Sequence, residues 1–437
     1  MLEIFSILLS IISFIIIFSF PINCYNSKSS LFNYQLNYQL NFFDIILINI
    51  ILHLNFLLFL SFYSLNLNII FTIYILIGFL LVLLNFIKYA DFFIKNLFSI
   101  SLFLLILFCL FITIAQSAIL TWDGAAHWFF KAQNFYQGSE YKDLKNLPFN
   151  YYPHLGPYIW AFFWKNSFLQ LEYSGRFFFI FIFLVSIFSL GQQLNSKFSN
   201  IEKTLLTFLF VYLSTNLFLF GGYQEYLIFF VFFSFSRLFF LSQYLKKNNF
   251  YDFTPAFLLL ASHLVLWTKQ EGFFYYIILN LIFLLHYKKH LYYKFVYLIL
   301  SLVLLLIFIY TKIYFFGSLK FYETIIHADL INNFNLLIVS KKIFLILKYI
   351  FISFAKYPIW ILIILSSIIL WIKYDFFNKN IFLYTFFFFS FSLVFLIFLQ
   401  TTYELEWLLP LTLNRIVFPI SAFLICLIVE LLNRLKK

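Results

Sequence analysis

Residues 97–128 read LFSISLFLLILFCLFITIAQSAILTWDGAAHW. Leu97–Leu120 is a nearly unbroken apolar run, and about 20 such residues in a helix cross a bilayer. The run then stops, and Trp122 and Asp123 follow. Asp123 therefore stands about one turn beyond a membrane-spanning helix, at the water–lipid boundary. An acid deep in a bilayer is costly and rare, and one held at this level has a reason to be there. The chain stays out of the greasy pattern through 121–164, TWDGAAHWFFKAQNFYQGSEYKDLKNLPFNYYPHLGPYIWAFFW. With Asp123, His127, His154 and a Tyr151-Tyr152-Pro153 turn, it reads as the catalytic loop of a membrane enzyme.

Composition fits that reading. The chain is 64% hydrophobic and 11% charged, where a soluble domain carries about 25% charged residues. Its mean hydropathy is +0.96. The expected fold class is all-α, a polytopic transmembrane helical protein. The 71 Phe residues are what an AT-rich genome favours, and no aromatic function is read from them. In so apolar a chain a net charge of +12 reflects the positive-inside rule and contact with anionic lipid rather than a nucleic-acid partner. Cys24, Cys109 and Cys426 are scattered and form neither a disulfide framework nor a metal cluster. The N-terminus lacks a basic region, so the first span reads as uncleaved.

Four apolar runs precede the polar loop: about Leu2–Phe20, Phe43–Phe62, Leu67–Ile87 and Leu97–Leu120. The loop itself is taken as 121–174. Gly175–Leu190, Lys203–Phe220 and Glu225–Tyr244 follow, then two short runs, Phe253–Trp267 and Phe273–Leu285. Phe295–Phe316 leads into a second loop at 317–357. Pro358–Trp371, Ile381–Leu399 and Ile416–Leu432 close the chain. The expectation is about thirteen crossings, within a range of about 11–14. Residues 1–96 supply N-terminal spans without an assigned role, and 97–437 form the catalytic region.

Lysine placement sets the sides. Lys88, Lys95, Lys197, Lys203, Lys246, Lys247, Lys288, Lys289, Lys294, Lys373 and Lys379 fall on one face with the C-terminal Arg434, Lys436 and Lys437. That face is cytoplasmic by the positive-inside rule. The 121–174 loop, Gly221–Gln224, Lys269–Glu271, the 317–357 loop and Thr401–Asn414 then share the opposite, outer face. Short half-spans meeting at polar residues, as at Lys269–Glu271, often line a cavity. In the second loop Lys341, Lys342, Lys348 and Lys356 recur at near-helical spacing among apolar residues. They describe a helix lying in the membrane interface, with a span carrying snorkelling lysines as the other reading.

Asp123 can act as a general base for a hydroxyl acceptor if it comes within about 3 Å of it, or it can simply cap the loop. His127 lies one helical turn on, so the two can share a face and orient a substrate or bind a metal. His154 follows the Tyr-Pro turn. Glu172 and Arg176, four apart, form a default ion pair. Lys269 and Glu271 either pair with each other or line a polar cavity. Glu323, His327 and Asp329 make a weak metal-ligand look-alike. Glu404, Glu406 and Arg415 crowd the last outer loop, and Arg415 can hold a phosphate bidentately or anchor the final span. No Walker loop, Gly-x-Gly-x-x-Gly, His-Glu-x-x-His or Cys-x-x-Cys motif occurs, which argues against an ATP-driven pump and a zinc peptidase.

The ordered motifs resemble the GT-C class of membrane glycosyltransferases, including the protein mannosyltransferase-like and aminoarabinose transferase-like families. Trp122-Asp123-Gly-Ala-Ala-His-Trp128 with Lys131-Ala-Gln resembles the family's first outer loop. Tyr151-Tyr-Pro-His-Leu-Gly-Pro157 resembles its Tyr-Pro-Pro-Leu-x-Pro turn, with His154 in place of the second proline. Trp267-Thr-Lys-Gln-Glu-Gly272 is similar to a Lys-x-Glu-Gly element, and Leu413-Asn-Arg415 with Pro419 to a late arginine motif. The family acid usually follows the first span, whereas Asp123 follows about the fourth.

The resemblance implies transfer of a sugar from a polyprenyl-phosphate-linked donor to a lipid, glycan or protein acceptor. The reaction would take place on the outer face of a bacterial inner (plasma) membrane. Asp123 would be the catalytic base; His127, Tyr152, His154, Lys269, Glu271 and Arg415 would bind substrate. A divalent metal ion is the one cofactor it leaves open. The rival readings are an O-antigen ligase- or polymerase-like enzyme and a non-enzymatic transporter or flippase for lipid-linked saccharides.

Overall fold

The computed structural model describes residues 2–20, 40–63, 65–167, 170–216, 220–244, 254–287, 291–316, 336–374, 380–401 and 404–436. Glu323, His327, Asp329, Cys24, Lys246, Lys247, Lys288, Lys289, Lys379 and Lys437 lie outside the described residues.

All regular structure among the described residues is helical. The first half holds α1 (Leu2–Phe18), α2 (Phe42–Leu60), α3 (Leu67–Ser117), α4 (Phe130–Tyr136), α5 (Leu155–Trp164), α6 (Tyr173–Gly191) and α7 (Asn200–Ser214). Then come α8 (Glu225–Tyr244), α9 (Thr254–Leu266), α10 (Gly272–His286), α11 (Leu291–Phe316) and α12 (Leu336–Lys356). The last are α13 (Ile359–Tyr374), α14 (Ile381–Gln400), α15 (Leu405–Leu424) and α16 (Cys426–Leu435). A π-helical turn (Gly124–Phe129) and a 3-10 turn (Tyr141–Asn146) lie in the polar loop.

Among the described residues, 8 segments are long and apolar enough to cross a membrane, or 9 if the bent α12–α13 pair counts as one span. This is the polytopic all-α architecture expected, with fewer full-length spans than the apolar runs suggested. The shortfall lies in short helices. α9 and α10 have 13 and 15 residues, which at 1.5 Å per residue fall short of a bilayer core of about 30 Å. In the run expected over Lys203–Phe220, α7 ends at Ser214, and Thr215 and Asn216 are not helical.

α3 is continuous over 51 residues, yet it cannot be straight. Gly78 sits against Ile16 of α1, while the Phe111 ring packs 6.1 Å from Phe14. A straight helix would separate residues 78 and 111 by about 50 Å. The chain therefore folds back between its two apolar windows, Leu67–Leu84 and Asn96–Ser117. Two spans, as the lysines predict, are joined through bent helix rather than a loop.

Burial identifies the centre. The spanning windows of α6 and α8 are 100% and 94% buried, against 17–44% for α3, α11 and α14. The outer helices thus present their apolar faces to lipid, as large exposed hydrophobics such as Leu84, Leu306 and Phe388 attest. α15 packs along α8 through Phe418, which stacks on Phe229 at 5.0 Å. The mid-span Arg237 of α8 is not a stray charge. Its guanidinium donates to both Asp44 oxygens at 3.1 and 2.7 Å, and Ser189 Oγ donates to the same carboxylate.

One boundary differs from expectation in a way that matters for the site. Thr401–Asn414 was expected as an outer loop with Arg415 opening the last span. Instead α15 starts at Leu405, and Arg415 lies within it, about 15 Å from its start. Pro410 and Pro419 are both accommodated inside this helix, where apolar Leu405, Leu408, Leu409 and Leu413 keep it against its neighbours.

Candidate active site

Two glycine-bearing loops meet where the site forms. After α3, Ala118 adopts a left-handed conformation that ends the helix. Thr121 then donates its backbone N–H and its hydroxyl to the Gly221 carbonyl, each at 2.9 Å. Gly124 lies so close to that carbonyl that a Cβ would collide with it. Across the junction Gly222 has φ +99°, which favours glycine.

Arg176 ties the same loops from behind. It donates to the Ile119 carbonyl at 2.9 Å and forms the expected pair with Glu172 at 3.0 Å. Asp123 is thereby fixed beside Glu225, the first residue of α8.

The result is an open cleft enclosing about 820 Å³, mouth included. Its polar lining is Asp123, His127, Tyr152, Glu225, Lys269, Glu271 and Arg415. Its apolar lining comes from Ile397 and Phe398 of α14 and from Leu408 and Ile416 of α15, with Thr401 and Thr412 also in the lining. Leu408, Thr412 and Ile416 are four apart and share one helix face, lining about 12 Å of α15.

The charges form one chain of contacts. Arg415 pairs with Asp123 and lies over the Tyr223 ring at 4.3 Å, with its Nε 4.0 Å from Glu225. Lys269 Nζ donates to Glu225 Oε1 at 2.7 Å. Glu225 is 1% exposed and sits at the α8 N-terminus, where the helix dipole favours an anion. Lys269 pairs with Glu225, not with its sequence neighbour Glu271. Burial alone would lower the Lys269 pKa, but Glu225 and Glu271 outweigh it and hold it above its ordinary value. It stays cationic.

His127 Nε2 is 3.9 Å from Asp123 Oδ1. Burial pulls its pKa below the usual histidine value, against the opposing pull of Asp123. Its ring meets Phe149 at 4.0 Å and Tyr152 at 5.1 Å, making an aromatic wall. Two buried lysines hold that wall. Lys131 Nζ donates to the carbonyls of Phe149 and Tyr152 at 2.8 and 2.9 Å, and Lys312 Nζ to that of Tyr151 at 3.2 Å.

Six of the seven residues expected from sequence therefore meet in one cleft. His154 is the exception. It is fully buried, with Nε2 2.6 Å from Ser61 Oγ and its ring 4.0 Å from Tyr141. Burial, with Lys312 and Lys131 adding, pushes its pKa well down. Its place is behind the site, bracing the turn that carries Tyr152.

Glu225 is the residue that sequence reasoning missed. Its one sequence signal is an acid at the first position of an apolar run, which ordinary span boundaries share. Glu225 Oε2 and His127 Nδ1 are buried with no hydrogen-bond partner among the described residues, so the cleft retains polar capacity for a ligand. No group of three His, Cys, Asp or Glu among the described residues is placed to hold a metal ion.

Compared with known protein families, characterised proteins and solved structures, the chain matches none.

Proposed function

We propose that this protein is a membrane glycosyltransferase of GT-C type. It moves a sugar from a polyprenyl-phosphate-linked donor to a hydroxyl of a lipid, glycan or protein acceptor. The reaction takes place on the extracytoplasmic face of a bacterial inner membrane. The observation that carries this reading is the mixed lining of one cleft: acids and cations stand beside apolar residues of α14 and α15, and Arg415 shares α15 with Leu408 and Ile416. An amphiphile with an anionic head and a hydrocarbon tail matches that mixed lining.

The chemistry follows from the named groups. The donor phosphate competes with Asp123 for Arg415, whose planar fork suits a phosphate, and Lys269 adds a second positive charge. As Arg415 turns to the phosphate, the Asp123 carboxylate is released toward the acceptor. The acceptor oxygen attacks the anomeric carbon, its proton passes to Asp123, and the bond from that carbon to the phosphate oxygen breaks. The electron pair leaves with the lipid phosphate, where Arg415 and Lys269 stabilise the developing charge. His127 and Tyr152 supply the ring wall beside the sugar. A charged phosphate leaving group needs no nucleotide-binding domain.

The test uses membranes carrying the protein and a radiolabelled pool of polyprenyl-phosphate sugars. Label is expected to leave the lipid-phosphate fraction and appear in an acceptor. Label that stays on the lipid but changes leaflet would contradict the transferase and favour a flippase.

A further inference from the structure

α12 stands apart from the other helices. It meets α13 at 99°. The two therefore do not make one straight span. α12 is pinned to α14 and α15, the two helices that supply the apolar lining of the cleft. Lys342 Nζ donates to the carbonyls of Leu399 and Thr401 at 3.1 and 3.0 Å, capping the end of α14. Ser353 Oγ donates to Asn414 Oδ1 of α15 at 2.6 Å.

The opposite face of α12 is exposed, and it is cationic. Leu336–Lys356 contains four lysines and no acid. Lys342 is used internally; Lys341, Lys348 and Lys356 are exposed. Lys341 and Lys348 are two turns apart and lie about 20° from each other around the helix axis. Phe344 and Phe351, 69% and 67% exposed, flank them on the same side. Lysines beside bulky rings on one face match the boundary between headgroups and acyl chains.

From this we propose that the exposed face of α12 is a docking surface for anionic lipid headgroups. It gathers phosphate-bearing lipids at the mouth of the cleft whose wall α12 braces. Each lysine near an anionic surface contributes about a fivefold gain in association. This inference concerns lipid binding and stands whether or not the cleft transfers a sugar.

The test places a fluorophore on Leu347→Cys, 40% exposed on this face, in the full chain with Cys24, Cys109 and Cys426 replaced by serine. The protein is reconstituted in phosphatidylcholine bilayers. Small amounts of phosphatidylglycerol or phosphatidylcholine carrying a nitroxide high on the acyl chain are then added. Half-quenching is expected at a several-fold lower fraction of phosphatidylglycerol, with the preference shrinking in 0.5 M salt. The K341Q/K348Q/K356Q variant should lose the preference, and the corresponding triple arginine variant should keep it. Equal quenching by both lipids, no quenching by either, or a preference that survives high salt would overturn the proposal.

Discussion

Asp123 and Arg415 lie 292 positions apart and form an ion pair in the lining of the cleft. The pair joins the end of the α3 hairpin to the middle of α15. It also means that the proposed base is neutralised at rest. Around it two acids, Glu225 and Glu271, face one lysine, Lys269, so the cleft has no cation to spare before a ligand arrives. An anionic substrate must therefore exchange partners with Asp123, which ties exposure of the base to occupancy of the site.

Glu225 and Lys269 form the most buried link of this network, at 1% and 12% side-chain exposure. Removing one partner strands the other charge, at a cost of about 3–5 kcal/mol. Glu225→Gln should destabilise the protein by roughly that amount in detergent unfolding. The double variant E225L/K269M should recover most of the loss. A single variant as stable as wild type would contradict the burial of this link.

Gly124 has no room for a side chain against the Gly221 carbonyl. Gly124→Ala must push the two loops apart, at about 1–3 kcal/mol, and move Asp123 away from Arg415. The expected result is a lowered unfolding temperature together with a larger loss of activity. An alanine variant with full activity would show that the loop contact does not position the acid.

His154 gives a pH signature. Its folded pKa lies well below its ordinary value because burial disfavours the cation. In the unfolded chain it takes up a proton below about pH 6.5. The unfolded state then binds more protons, so stability falls as pH drops. Between pH 7.5 and 5.5 wild type should lose up to about 1.4 kcal/mol per pH unit below 6.5 from this residue. His154→Gln should lack that component. Parallel pH curves for the two proteins would refute the assignment.

The sequence made some of this legible and hid the rest for physical reasons. Apolar runs announced the membrane class, because nothing soluble sustains them. The span count was not legible: short runs such as α9 and α10 look alike whether they cross or only fill the interior. Asp123, Lys269 and Arg415 stood out as charges interrupting apolar sequence. Glu225 did not, since an acid at the first position of a span looks like an ordinary boundary residue. Pairings across hundreds of positions leave no local trace, and neither does side-chain direction. His154 occupies the same turn as Tyr152, yet its ring points inward to Ser61. Arg415 reads as the start of the final span because Glu404 and Glu406 crowd an outer loop before it, whereas α15, packed against α8, already begins at Leu405.

The most direct test compares wild type, Asp123→Asn and Asp123→Glu for sugar transfer from the labelled lipid-phosphate pool, with donor binding measured in parallel. Loss of a general base costs about 10²–10⁴-fold in rate. The asparagine variant should fall by that much while binding donor within a few-fold of wild type, and glutamate should restore part of the rate. An Asp123→Asn protein that inserts normally and transfers at the wild-type rate would contradict the central claim.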